Sequence, residues 1–265
     1  MKLHLPDVTL VAIDSICHEL TARAVKECLD KAQFGAVKIF TDNRAPFQAA
    51  FDSEIIEAPT FASLDEVMIY LWYQVPQHIA TSHALVVQWD SGIISEACWS
   101  ERFLQFDYVG APWGWYGDQY EVGNGGFSLR SRRLMRFVAK RKQDFPLGHP
   151  EDDVLCRRYR KNLERRGFRW CPNDLALQFS FEWTGFSGID RHFGYHGVFN
   201  WPRVFSVEAL HERILLMLKN KYLNQPKHLR ELLDAVKQQE TLGHLGAPLP
   251  ADFQSAAERE SQPNI

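Results

Sequence analysis

The sequence predicts an α/β fold: a Rossmann-type, mainly parallel central sheet flanked by helices. Two observations lead there. Up to Asp90, short β-branched apolar runs alternate with helical patterns, and the runs are continuously apolar, as strands buried on both faces must be. The chain also has the means to build a large core, since 45% of its 265 residues are hydrophobic and 24% are charged.

The elements follow in order. Val8–Ile13 reads as a buried strand, and Thr21–Gln33 as a helix with Val25, Cys28, Leu29 and Ala32 on one side. Ala36–Phe40 is the next strand, closing in the turn Thr41-Asp42-Asn43, and Glu54–Glu57 is a third. Ser63 and Glu66 form a capping box for a helix carrying Leu64, Val67, Met68, Leu71, Trp72 and Val75. Ala84–Gln88 is a fourth strand, apolar enough to be central. In such a sheet, ligands are expected beyond the carboxyl ends of the strands.

After Asp90 the character changes. Seven tryptophans, from Trp89 to Trp201, lie in sequence rich in glycine and proline, where functional loops are expected. Ser206–Leu223 and Lys227–Gln239 read as helices separated at Pro226, and periodicity ends at Gly243. The expected organisation is a main domain over 1–204, a helical extension over 205–242 and a disordered tail over 243–265. No apolar run is long enough to cross a bilayer, and Met1–Pro6 lacks the core of a secretory signal, so the expected location is the cytoplasm. Five cysteines without a Cys-x-x-Cys spacing point to reduced thiols rather than a disulfide framework or a thiolate zinc site.

The net charge of −3 conceals an asymmetry. From Arg130 to Arg169 there are fourteen Lys or Arg against five Asp or Glu, a local balance of +9. Either two amphipathic helices expose basic outer faces, or the segment meets something anionic.

The stretch Val122-Gly-Asn-Gly-Gly-Phe-Ser-Leu-Arg-Ser131 is not a phosphate loop: its glycines lack G-x-G-x-x-G spacing, and they precede a strand-like Phe127–Arg130 rather than a helix. Glycines before a strand permit positive φ and close approach to the main chain, which suits a flat polar ligand, with Asn124 as donor and acceptor. An Asn-Gly hairpin turn is the plainer alternative.

Together, Gln88-Trp-Asp-Ser-Gly92, Asp107-Tyr-Val-Gly-Ala-Pro-Trp113, Gly123–Arg130, Pro150-Glu-Asp-Asp153 and Phe193-Gly-Tyr-His-Gly197 form a set. In this order and spacing, the set resembles a bacterial family classed with glycosyltransferases of the GT-A fold, many of whose members are known only as a domain of unknown function. The resemblance covers roughly Val8 to Trp201. It implies a GT-A-like fold with a nucleotide-sugar donor held beyond a Rossmann-like half sheet, and a divalent cation, Mn²⁺ or Mg²⁺, bridging the diphosphate to an Asp-x-Asp motif. Here that motif reads Gln88-Trp89-Asp90, so only its second carboxylate is present. Asp90 and His196 are the implied metal ligands, with His192 a competitor for the second place. Asp152 is the implied base that deprotonates an acceptor hydroxyl in an inverting transfer. Glu151 shares its loop, and a capped helix start is the plainer role for these acids.

The expected donor- or acceptor-binding set is Asp14, Asp42, Gln88, Trp113, Asn124, Gly125, Gly126 and Glu151. Asp14 and Asp42 serve equally well as turn residues, Tyr70 and Tyr73 as helix packing, and Trp113 and Trp115 as core or as a stacking platform. The function so implied is sugar transfer from a nucleotide-sugar donor to a glycan, lipid-linked or other hydroxyl acceptor, as in surface polysaccharide or glycoconjugate synthesis. Residues 130–169 would meet phosphate or an anionic surface at the inner membrane face. Two other readings stand beside it: a non-catalytic carbohydrate-binding protein on the same scaffold, and a transferase acting on nucleic acid.

Overall fold

The computed structural model describes residues 2–48, 52–146 and 150–220, together with Leu232 and Asp234. Nine strands are described: β1 Leu3–Asp14, β2 Ala32–Thr41, β3 Glu54–Glu57, β4 His83–Val87, β5 Ser91–Ile93, β6 Tyr108–Gly110, β7 Phe127–Ser131, β8 Ser180–Phe181 and β9 Gly194–His196. Six form the central sheet in the order β3-β2-β1-β4-β7-β6. The first four are mutually parallel, and β7 runs antiparallel to both β4 and β6. Helices flank this sheet, giving the mixed α/β architecture the sequence predicts.

The strand pattern follows from burial. Leu10, Val11, Leu85 and Leu129 are wholly buried, so β1, β4 and β7 form the middle of the core. β1 begins five residues earlier than the apolar run suggests, because Pro6 interrupts the pattern and not the strand. Its pairing with β2 slips between Leu5 and Thr9. Opposite the slip lies Gly35, where an added Cβ would stand 2.0 Å from the Pro6 carbonyl oxygen. Ser63 Oγ accepts from the Glu66 amide as the capping box requires, while the Glu66 carboxylate takes the Ala62 amide instead of that of Ser63.

The remaining strands form a three-stranded sheet in the order β5-β9-β8. It stands beside a second apolar cluster containing Phe181, Tyr195, Trp201, Leu210, Ile214 and Met217. The helix Val207–Lys219, capped by Ser206, supplies the last three, and its Arg213 reaches Glu27 on the helix His18–Lys31. The expected helix over 227–239 and the tail over 243–265 lie outside the described residues, Leu232 and Asp234 apart.

Two expectations about charge and aromatics change. The basic segment is not simply an outward face, because Arg130 and Arg160 within it are buried. Nor do the tryptophans simply mark ligand loops: Trp113, Trp170 and Trp201 fill the core, whereas Trp115 is 40% exposed. All five cysteines are buried free thiols. Among the described residues, no helix is long and apolar enough to cross a membrane.

Candidate functional site

The carboxyl edge of β1, β2 and β4 is where Asp14, Asp42 and Gln88-Trp-Asp90 emerge. β5 follows immediately, and its Ser91 pairs with His196 of β9, while the Gly197 amide donates to the Asp90 carbonyl at 3.0 Å. This pairing sets the two side chains together, with His196 Nε2 standing 3.5 Å from Asp90 Oδ1. The glycine loop closes the third side. Gln88 N and Ser91 Oγ both donate to the Gly126 carbonyl, at 3.1 and 2.9 Å. Asn124 Nδ2 meets His196 Nδ1 at 3.1 Å.

In this loop positive φ falls on Asn124, at 65°, and on none of its three glycines. The turn is held by the asparagine itself, whose Oδ1 accepts the amides of Gly126 and Phe127 at 2.9 and 3.1 Å. The glycines are there for close approach. A Cβ on Gly123 would lie 2.0 Å from the Trp113 ring, on Gly125 2.7 Å from Glu151 Oε2, and on Gly126 2.0 Å from His196 Nε2. Each glycine therefore lets one residue of the proposed constellation touch the main chain.

Two neighbouring carboxylates on the following loop have separate fates. Glu151 is buried and accepts from Trp72 Nε1 and from Arg130 Nη1, the latter at 2.6 Å. Arg130 lies between the Trp72 and Tyr108 rings, at 4.8 and 5.3 Å, and also donates to the Gly125 carbonyl. Glu151 Oε1 is thus engaged in a buried ion pair that braces Arg130. Asp152 instead accepts from the Gly125 amide at 2.9 Å and is only half-buried. Burial, followed by the nearby Glu151 and Glu182 carboxylates, pushes the Asp152 carboxyl up to about 7, against the opposing amide bond. After Asp153 the helix widens into a π turn, Val154–Arg158, closed by Tyr159 N on the Val154 carbonyl.

Glu182 is the residue the sequence reading misses. It follows β8 and accepts from His196 Nδ1 at 2.7 Å. Burial alone would lower the His196 pKa, but Asp90 and Glu182 override it and hold the imidazole well above its ordinary value. The signal was slight: Glu182 is the sole acid between Asp174 and Asp190, set in an aromatic run. His196, Asp90 and Glu182 keep side-chain exposures of 17%, 13% and 10%.

Other candidates take structural roles. Asp14 is buried, and its carboxylate accepts the Ile16 and Cys17 amides, making it a turn residue at the start of the first helix. Asp42 pairs with His18 at 2.8 Å and accepts from Thr60 at 2.6 Å at the exposed rim. Trp113 is 5% exposed and packs on Gly123. His192 bonds the Leu177 carbonyl and the Ser187 amide, and burial lowers its pKa. Tyr70 packs edge-on to Phe40 and Phe61, and Tyr73 donates to the Phe145 carbonyl.

For a divalent cation the fit is sparse. Among the described residues, no group of three or more His, Cys, Asp or Glu side chains is disposed to hold a metal. Asp90 Oδ1, however, is buried without a hydrogen-bond partner. One carboxylate completed by substrate phosphates is a sufficient protein share for Mg²⁺-type binding.

A family model described as "Protein of unknown function (DUF5672)" matches residues 52–196, more than half of the chain. No curated protein matches it. Among solved structures, the chain is similar to the apo form of the glycosyltransferase GlyE of Streptococcus pneumoniae TIGR4, at 11% identity and a TM-score of 0.40, over 69% of this chain and 47% of that one. A second GlyE structure matches at 11% identity and a TM-score of 0.37, over 62% and 44%. The chain thus spans less than half the length of these two solved structures.

Proposed function

The chain belongs to the DUF5672 family, and from that premise we propose that it is a nucleotide-sugar-dependent glycosyltransferase acting on a hydroxyl acceptor. One observation carries the reading: Asp90, Asn124, Asp152 and His196, far apart in sequence, meet at the carboxyl edge of the sheet, and the Asp152 carboxyl there is pushed up to about 7.

In this reading Asp152 is the base. A carboxyl that titrates near neutrality is half ionised under working conditions and retains the driving force to accept a proton. The acceptor oxygen attacks the anomeric carbon and its proton passes to Asp152. The bond from that carbon to the diphosphate breaks, and the electron pair leaves with the diphosphate, inverting the centre. His196, kept cationic by Asp90 and Glu182, faces the leaving diphosphate, and Gly126 lets its ring pack against the main chain of the glycine loop. Asp90, through its unpartnered Oδ1, would hold Mn²⁺ or Mg²⁺ together with the substrate phosphates; His196, the other implied ligand, could join it only as neutral imidazole, and as a cation it serves the phosphates instead. Such an ion supplies charge neutralisation at the departing phosphates.

The test is a thermal-shift screen of UDP-, GDP-, dTDP- and CMP-sugars with and without Mn²⁺, followed by transfer assays on the donor that binds. Asp152→Asn is expected to keep donor binding and lose transfer. Donor binding without turnover in the wild-type protein would make it a carbohydrate-binding protein on this scaffold. No shift with any donor would overturn the reading.

A further inference from the structure

A cleft of about 650 Å³ opens at the other end of the central sheet, away from the centre just described. Its position follows from strand pairing. Val87 and Phe127 pair at the end of β4 and β7 that leads into the glycine loop, and His83 and Ser131 pair at the end that borders the cleft. Four residues of strand separate the two pairs, about 13 Å at the usual rise. A phosphate in one place cannot serve the other.

Arg132, Arg133, Arg136 and Arg169 line this cleft, and Asp107 is the one carboxylate among its lining residues. His83, also in the wall, is buried with its pKa lowered, and adds no cation at neutral pH. The arginines are positioned mainly by main-chain oxygens. Arg132 donates to the Ala80 carbonyl, Arg136 to those of Pro76 and Ile79 at 3.3 and 3.0 Å, and Arg169 to that of Gln105. Arg133 lies over Phe168 at 4.3 Å and pairs with Asp107 at 2.6 Å. The oxygens of Asp107 are already taken by Ser131, Arg133 and the Arg169 amide.

Carbonyl anchors fix a guanidinium without neutralising it. Among the described residues, Arg132, Arg136 and Arg169 have no carboxylate partner, and each keeps donor hydrogens to spare around one concavity, since a guanidinium carries five. Such an array, largely open to solvent, gains most from a compact, multiply charged oxyanion that accepts forked bonds. We infer that this cleft is a second ligand site, specific for a phosphate or diphosphate group carried by a small molecule or a lipid head group. The concave gathering of arginines fits a phosphorylated head group better than nucleic acid, which would want cations spaced along a face.

The experiment uses the full chain in EDTA, which removes any metal-dependent binding at the acid centre. Titration with inorganic pyrophosphate is expected to raise the melting temperature and give a measurable Kd. The Arg132→Gln/Arg169→Gln double variant is expected to weaken that Kd at least about tenfold, the loss of one or more charge-assisted bonds. Lys26→Gln, on the exposed face of the helix His18–Lys31, is expected to leave it unchanged. Because Arg132 and Arg169 also brace the main chain, each variant's melting is recorded; if the Gln pair does not fold, Arg132→Lys/Arg169→Lys replaces it and is expected to weaken binding through loss of the fork. Sedimentation with phosphatidylcholine vesicles containing phosphatidic acid, absent with phosphatidylcholine alone and lost in the variant, would assign the phosphate to a lipid head group. Pyrophosphate binding without sedimentation would assign a soluble ligand. Pyrophosphate affinity that survives the arginine substitutions, no binding at all, or arginine-dependent binding of duplex DNA tighter than that of pyrophosphate would overturn the inference.

Discussion

Strands β4 and β7 lie side by side, and their two ends carry opposite chemistry. At the carboxyl end of β4, Asp90 and Glu182 flank one imidazole and hold its pKa up, with Asp152 nearby on the Gly125 amide. At the amino end, four arginines surround one carboxylate and are held by carbonyl oxygens. Arg130, on the same β7, shows what a purely structural arginine looks like: fully buried, between two rings and paired with Glu151. A charge neutralised inside the fold holds the fold together, whereas a charge held without a counterion is ready for a ligand. That contrast separates Arg130 from Arg132 and Arg136, although all three stand within seven residues.

The largest expected effect lies at the acid centre. Asp152→Asn should lower the transfer rate by about 10²–10⁴ with donor affinity retained, the usual contribution of a positioned base. Its neighbour sharpens the comparison. Glu151→Gln leaves Arg130 as an uncompensated buried charge and should cost about 3–5 kcal/mol in denaturant unfolding. A variant with rate lost and stability kept at Glu151, and the reverse at Asp152, would exchange the two roles.

The raised carboxyl of Asp152 has a consequence for stability with a definite sign. Its folded value of about 7 lies above the ordinary 3.8, so the native state binds the proton more tightly than the unfolded chain. The associated stability is fully present below pH 4 and is lost as pH rises through 7. Asp152→Asn should therefore melt a few degrees above wild type at pH 8, on the order of 2 kcal/mol, and level with it at pH 4.

Gly126→Ala comes next. Its Cβ would meet the His196 ring, and displacing that ring should cost about 1–3 kcal/mol and weaken donor binding, read by unfolding and by titration. The smallest change in stability belongs to Trp115→Ala, within about 0.5 kcal/mol because the ring is 40% exposed. It lies beside Tyr116, which bonds Asp153, so a raised acceptor KM at unchanged stability would extend the centre toward that rim.

Long-range pairing divides what the sequence reveals from what it hides. Glu54–Glu57 and the strand before Ser131 are readable because each carries its own apolar pattern. Asp90, Asn124, Asp152 and His196 are readable as a set through their motifs. β5, β8 and β9 span only two or three residues, too short to show a period, so the sheet that joins His196 to Asp90 was invisible. Glu182 was missed for the same reason. The loop glycines suggest freedom of φ, but their role lies in which side chain each one admits, and that depends on Trp113, Glu151 and His196 arriving from elsewhere. Arg130 counted as surface charge because its partner Glu151 lies twenty-one residues away.

The most direct test sets the two ends of the sheet against each other in one titration. Once a nucleotide-sugar donor is identified, its affinity is measured for wild type, His196→Gln and Arg132→Gln/Arg169→Gln. The centre at the carboxyl edge predicts that donor binding weakens at least about tenfold in the histidine variant and is unchanged in the arginine pair. Donor binding that ignores His196 and falls with the arginines would contradict it.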